Sequence, residues 1–254
     1  GKIAIDPQFE EARDFQEGRA GVLLDSKWGY IDKNGNIAIS PQFEEARDFQ
    51  EGRAGVLLDS KWGYIDKSGK ITTNPQFDFA EDFQEGLARI QLGDKWGYID
   101  KNGNIAINPQ FEEARDFQEG RAGILLDRKW GYIDKNGNIA INPQFEGADD
   151  FEEGLARIRL GGKHGYVDKA GKIAINPQFD LTFWFHEGLA PIELGNKWGY
   201  IDKNGNIAIN PQFEDARWFK EGRARIQLDG KWGYVDKNGN IAIKPQFGFA
   251  GDFN

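Results

Sequence analysis

The chain has 254 residues, of which 39% are apolar and 29% charged, with 41 acidic against 32 basic side chains for a net charge of −9. Because the bases are interleaved with acids throughout, no basic stripe exists to neutralise a phosphate backbone, which argues against nucleic-acid binding. The absence of Cys excludes disulfides, thiol catalysis and Cys-based zinc sites, and no stretch approaches the roughly 20 apolar residues of a membrane span.

A Trp-Gly pair recurs along the whole chain at Trp28, Trp62, Trp96, Trp130, Trp198 and Trp232, with His164 in the one missing slot. The step is always 34 residues, so one supersecondary unit is copied in tandem, each copy burying its apolar face against its neighbours. Seven repeats are read at 1–34, 35–68, 69–102, 103–136, 137–170, 171–204 and 205–238, followed by a half-repeat at 239–254, as one array. Both ends display the same half of the repeat. A ring sealed by its termini needs complementary halves, so the pattern predicts an open spiral, with a closed seven-bladed β-propeller as the alternative. The chain contains no Met and shows no signal-like start, as a processed or trimmed product would.

Within the first repeat, PQFEEARDFQEG holds two possibilities. In the copy beginning at Asn108, a potential N-cap, Pro109, Glu112, Glu113 and Gly120 are placed as in a short helix. Other copies carry Gly147, Gly248 and Gly251 inside the span, and one reads FDLTFWF from Phe179. The spacing Phe9, Ala12, Phe15 fits neither period, which favours an extended, bulged strand over a helical turn. The run GVLLD from Gly21, or ARIQL from Ala88, follows as a strand. KWGYIDKNGNIAI then reads as a hairpin, since Asn34-Gly35 lies between two β-prone runs. A two-residue turn would pair Ile31 with Ala38, Tyr30 with Ile39 and Trp28 with Pro41. Trp28, Tyr30, Ile37 and Ile39 would then share one face, leaving Gly29, Ile31 and Ala38 on the other, small enough for a second layer.

KWGYID with its following glycine, the I-x-I-x-P-Q-F run and the F-x-x-A-x-x-F-x-E-G-x-A segment together resemble the WG repeat, a family abundant in bacterial proteins. The resemblance covers all 254 residues, with His164 for Trp and Thr182 for Ala as clear departures. It implies an all-β tandem array of 34-residue meanders, propeller-like or solenoid-like, used for interaction or scaffolding, with no shared catalytic set.

Since repeats 1–34 and 35–68 differ at only three positions, variation is more informative than identity. The slot before the recurrent Phe is Asp14, Asp48, Asp82, Asp116, Asp150 and Asp252, which predicts a wet position. In two consecutive copies it is Trp184 and Trp218, accompanied by Leu181, Phe183 and His186 where other copies mostly place polar residues. These five form the candidate partner-binding patch; the competing account is that they pack locally around Thr182.

Elsewhere the chemistry is structural. Asp32-Lys33-Asn34-Gly35-Asn36 superficially matches the start of a calcium loop, but its twelfth position is Phe43 and turn geometry accounts for it. His164 reads as a smaller ring replacing Trp, the Glu-Gly carboxylates from Glu17 to Glu221 as solvent-facing turn residues, and the lysines before Trp as covers for indoles or bridges to acids. No cofactor or metal is expected. The leading function is therefore a non-catalytic interaction module or scaffold binding a protein, without nucleic-acid or membrane insertion. Alternatives are a carbohydrate-binding array stacking sugars on the recurrent indoles, or an enzyme with a site in the divergent repeats.

Overall fold

A computed structural model of the chain describes residues 8–251. These residues hold 28 strands in seven four-stranded antiparallel meanders, and among them no helix is long and apolar enough to cross a membrane. Such tandem meanders make a propeller- or solenoid-like array. Each sheet takes its first three strands from one repeat and its fourth from the next. The third sheet, for example, runs Phe79–Gln84, Leu87–Leu92, Lys95–Asp100 and Ile105–Phe111. Two compact units are distinguished, Gly1–Gly120 with Lys135–Gly137, and Arg121–Asp134 with Asn138–Asn254. Asp252, part of the Asp series, lies outside the described residues.

The PQFEEARDF segment is extended and bulged. In the third sheet Ala80 pairs with Ile90 and Phe83 with Ala88, so Glu81 and Asp82 together oppose Arg89. The bulge explains the three-residue spacing of Phe43, Ala46 and Phe49, all buried in one cluster. Where the residue opposite the bulge is Arg89, Arg157 or Arg225, the first strand has six residues. Where it is Gly21, Gly55 or Pro191, the strand shrinks to two, as expected of residues that weaken a ladder or lack its donor.

The Trp-Gly hairpin forms, but not on the expected turn. Among its turn residues only Gly35 takes positive φ, and the chain closes through Gly35 N–H to Asp32 O at 2.9 Å and Asp32 N–H to Asn36 O at 2.9 Å. This is a longer turn ending in a left-handed glycine. Its register pairs Ile31 with Ile37 rather than Ala38, and Trp28 with Phe43 rather than Pro41; only Tyr30 with Ile39 stands as expected. Residues 40–42 bulge over Gly29, where a Cβ would lie 2.6 Å from Ile39 O and from Pro41 N. The glycine of each Trp-Gly pair thus makes room for its own neighbouring strand, not for a second layer. Ile37 is correspondingly 46% exposed instead of sharing the buried face of Tyr30 and Ile39.

Successive sheets are joined by one repeated arrangement. Tyr64 is fully buried, meets the edge of the Phe83 ring at 4.9 Å, and donates its hydroxyl to Glu81 O inside the next bulge at 2.6 Å. Burial raises the tyrosine pKa well above the ordinary phenol range, so the hydroxyl stays a donor. The same bond recurs from Tyr30 to Arg47 O, Tyr166 to Phe183 O and Tyr200 to Arg217 O. A carbonyl released by the bulge is thereby satisfied from the neighbouring sheet.

Candidate functional site

The Glu-Gly turn is the second link between sheets. Glu51 and Gly86 both sit at positive φ in two-residue turns, and the Glu51 carboxylate accepts Gly86 N–H at 2.9 Å and the Lys101 ammonium at 2.8 Å. Equivalent bonds run from Glu17 to Gly52 and Lys67, from Glu85 to Gly120 and Lys135, and from Glu153 to Gly188 and Lys203. Burial pushes the Glu51 carboxyl up, but the Lys101 and Gly86 donors outweigh it and hold the pKa below the usual glutamate value. These residues sit at turns as expected, Glu17, Glu187 and Glu221 being exposed and Glu51, Glu85 and Glu153 half-buried, and the bonded ones also serve as inter-repeat staples.

The indoles are enclosed. Trp28, Trp62 and Trp198 are buried, and Trp96, Trp130 and Trp232 half-buried. Arginine, not the preceding lysine, covers them: Arg13 lies 4.2 Å from the Trp28 ring centroid, Arg89 4.8 Å from Trp96 and Arg225 4.8 Å from Trp232. The lysines bridge to acids of the next repeat, Lys61 to Asp78 and Lys163 to Asp180. The covering arginines also span the sheet junction, Arg13 donating to Ala46 O and, at 3.0 Å, to Glu45 Oε1. Glycine opposite the bulge leaves space for this side chain, since a Cβ on Gly55 would come within 3.1 Å of Arg47 Cδ. An arginine on one side of the bulge matched by glycine on the other was a signal present in the sequence that motif reading missed.

The Asp slot lies in the bulge and is less wet than expected. Asp48, Asp82, Asp116 and Asp150 are half-buried, with only Asp14 exposed. Asp82 lines an open cleft of about 390 Å3 together with Glu51, Glu81, Gln84 and Asp116. Burial, opposed by Arg47 and reinforced by the Glu81, Asp48 and Asp116 charges, raises its pKa above the ordinary aspartate value, and its Oδ1 is buried without a hydrogen bond.

Three repeats further along, the same positions carry Glu153 for Glu51, Phe183 for Glu81, Trp184 for Asp82, His186 for Gln84 and Trp218 for Asp116. Phe183, Trp184, His186 and Trp218 of the candidate patch therefore stand at positions that line the acidic cleft three repeats earlier. Its five residues divide. Leu181 and Phe183 pack against the buried cluster containing Trp198, Phe213 and Phe219, with Phe183 stacked on Trp198 at 5.4 Å and 12°. Trp184, 37% exposed, stands 6.5 Å from the Phe183 ring. Trp218 is half-buried and meets His186 at 5.9 Å, while His186 Nε2 lies 3.4 Å from Glu152 Oε1. Thr182, the departure from Ala, is fully buried and bonded to Pro191 O at 2.8 Å and to the Tyr166 hydroxyl, so it leaves no gap for the patch to fill.

His164 occupies the indole position of its sheet, pairs with Phe179, and makes an Nδ1 hydrogen bond with Asp180 O at 3.0 Å. An open cleft of about 100 Å3 beside it is lined by Ala148, Asp149, Arg157 and Arg159. Burial lowers the histidine pKa, which favours the neutral ring. The loop that superficially matched a calcium site uses its acid internally: Asp32 Oδ1 accepts the Asn34 and Asn36 amides at 2.8 and 3.0 Å. Among the described residues no group of three or more His, Asp or Glu is placed to hold a metal ion.

Similarity to solved structures lies in the fold. A eukaryotic initiation factor crystal structure is 11% identical, covering 93% of this chain and 77% of that one at a TM-score of 0.58. Hsv2p of Kluyveromyces lactis is 10% identical over 76% and 74%, at a TM-score of 0.44. No curated protein matches the chain in sequence. The model of the WG containing repeat matches eight times in succession, at 1–28, 28–62, 62–96, 96–130, 130–163, 165–198, 198–232 and 232–254, and the chain belongs to that family.

Proposed function

We propose that the protein is a non-catalytic interaction scaffold whose divergent sixth and seventh repeats bind a protein partner through Trp184, His186 and Trp218, backed by Leu181 and Phe183. The observation that carries this reading is the exchange of a bulge carboxylate for tryptophan in two consecutive repeats, with Trp184 left 37% exposed. Tryptophan offers a large, rigid contact area and is enriched at interface hot spots, and nothing in the packing of a repeat requires it, since five other repeats place Asp there. The enclosed recurrent indoles favour this patch over a sugar-stacking function, which needs open ring faces.

The test selects binders from a phage-displayed random peptide library and compares the parent chain with Trp184→Asp/Trp218→Asp. Selected peptides should lose at least about 2 kcal/mol of binding while the melting temperature stays nearly unchanged. Intact binding, or a large loss of stability, would assign these tryptophans to packing.

A further inference from the structure

The hairpin turns that follow the Trp-Gly strands hold asparagine in two chemical settings. One precedes glycine, at Asn34, Asn102, Asn136, Asn204 and Asn238, and is exposed in every copy. The other precedes isoleucine, and its side-chain amide is tied to the aspartate that caps the turn, Asn36 to Asp32 at 3.3 Å and Asn206 to Asp202 at 3.0 Å. Outside the turns, Asn74, Asn108, Asn142, Asn176 and Asn210 each precede proline. Only the first setting joins an exposed side-chain amide to an unhindered backbone nitrogen. Glycine has no Cβ, isoleucine is branched at that atom, and proline has no N–H.

We propose that the five Asn-Gly turns are sites of spontaneous deamidation, which converts asparagine, a thermolabile residue, into aspartate or isoaspartate. In the first turn, Gly35 N gives its proton to solvent hydroxide and attacks Asn34 Cγ. The new N–C bond closes a succinimide, the Cγ–Nδ2 bond breaks, and Nδ2 takes up a proton and leaves as ammonia. Water then opens either carbonyl–nitrogen bond of the ring, so nothing is oxidised or reduced. In the closed turn Gly35 N–H is held by Asp32 O at 2.9 Å, and attack therefore follows local opening, which surface loops undergo at low cost. Isoaspartate adds a methylene to the chain between Asp32 and Gly35, which displaces that bond, and either product sets a second carboxylate beside the Asp32 cap. The turn also touches the preceding repeat: a Cβ on Gly205 would stand 3.3 Å from Ile175 Cγ2, and one on Gly137 3.2 Å from Ile107 Cγ1. Each isoaspartate thus loosens one repeat against the one before it.

The test ages the whole chain at mildly alkaline pH and follows each asparagine by peptide mass mapping. Asn34, Asn102, Asn136, Asn204 and Asn238 should gain the mass difference between an amide and an acid, while Asn36, its counterparts and the Asn-Pro residues stay unchanged. The melting temperature should fall as conversion proceeds. Replacing all five by serine copies the second repeat, where Ser68-Gly69 closes the same turn with Gly69 N–H on Asp66 O at 2.9 Å. That variant should fold as the parent does and keep its melting temperature on ageing. Asn-Gly pairs that stay intact in the folded chain, whether or not they convert in denaturant, would overturn the proposal, as would conversion of Asn36 at the same rate. Full conversion without loss of melting temperature, or an equal loss in the serine variant, would overturn the loosening of the repeats.

Discussion

The cleft of the third and fourth repeats and its counterpart in the sixth and seventh are built on one backbone and differ in their lining. In the first, Glu81, Asp82 and Asp116 line the cleft, with Glu81 and Asp116 paired to Arg47 and Arg89 at 3.0 to 3.3 Å. In the second, Phe183, Trp184 and Trp218 replace all three and the repeat has lost its arginine. Rings thus stand where the acidic cleft carries carboxylates, while the Asp215–Arg217 pair remains on the strand of Trp218. The contrast separates what the fold needs from what a site adds. The Tyr hydroxyl to the bulge carbonyl and the Glu-Gly-Lys staple persist through both regions, whereas the bulge side chains differ.

The strongest test of that separation strikes the shared backbone. A Cβ on Gly97 would lie 2.5 Å from Ile107 O and 2.6 Å from Pro109 N, and on Gly199 2.5 Å from Ile209 O and 2.6 Å from Pro211 N. Backbone cannot yield as a flexible side chain does, so Gly97→Ala and Gly199→Ala should each cost about 3 kcal/mol or more, measured by denaturant unfolding. Clearly unequal losses would show that the two regions do not share one scaffold.

Much of this scaffold was legible in the sequence because repetition averages out local ambiguity. The 34-residue step, the strand following Glu-Gly, and the bulge implied by Phe-x-x-Ala-x-x-Phe all rest on patterns seen several times over. The hairpin register failed for a specific reason. Asn-Gly signals a two-residue turn, but Asp32 sits two residues before Asn34 and caps the amides of a longer turn. That shifts the ladder and, with the bulge at residues 40–42, frees Ile37 from the core. Contacts across repeats were the least legible, because nothing local connects Glu51 with Gly86 and Lys101, or Arg13 with Ala46. The candidate patch was found by comparing copies, yet comparison could not distinguish Phe183, which packs on Trp198, from Trp184, which solvent reaches.

The fifth repeat sharpens the comparison from the packing side. His164, with Trp as its counterpart in six other repeats, borders an open cleft of about 100 Å3 into which a larger ring could extend. His164→Trp should stabilise the chain by roughly 0.5–2 kcal/mol through added ring packing, without altering peptide binding at the aromatic patch. A destabilising result would mean that Arg157 and Arg159 have closed over the smaller ring and cannot reopen.

The staples should respond alike in both regions. Glu51→Gln and Glu153→Gln each weaken bonds to a glycine amide and a lysine, at an expected cost of roughly 0.5–1 kcal/mol given their partial exposure. Both carboxyls have pKa values below the usual 4.5, with burial opposing and the lysine and glycine donors prevailing. Their stabilisation is therefore complete above the unfolded pKa and is lost as pH falls through the lower folded value. The gap between parent and either variant should close on acidification; a gap that persists would make it steric in origin.

The smallest expected effect distinguishes the acidic cleft from the aromatic patch by its pH dependence. Asp82 is raised above 3.8, chiefly by burial, with Arg47 opposing and the Glu81, Asp48 and Asp116 charges adding to the rise. An acid whose pKa is higher folded than unfolded destabilises the fold while ionised, and that penalty fades as pH falls below the unfolded value. Asp82→Asn should accordingly raise the melting temperature slightly at neutral pH and leave it unchanged near about pH 3. At the equivalent position Trp184 carries no titrating group, so Trp184→Phe should shift melting by the same amount at both pH values. If Asp82→Asn instead destabilises at neutral pH, the Asp82 charge is bound by the neighbouring arginine more tightly than burial penalises it. The acidic lining would then belong to the fold, and only the aromatic patch would remain a surface added to it.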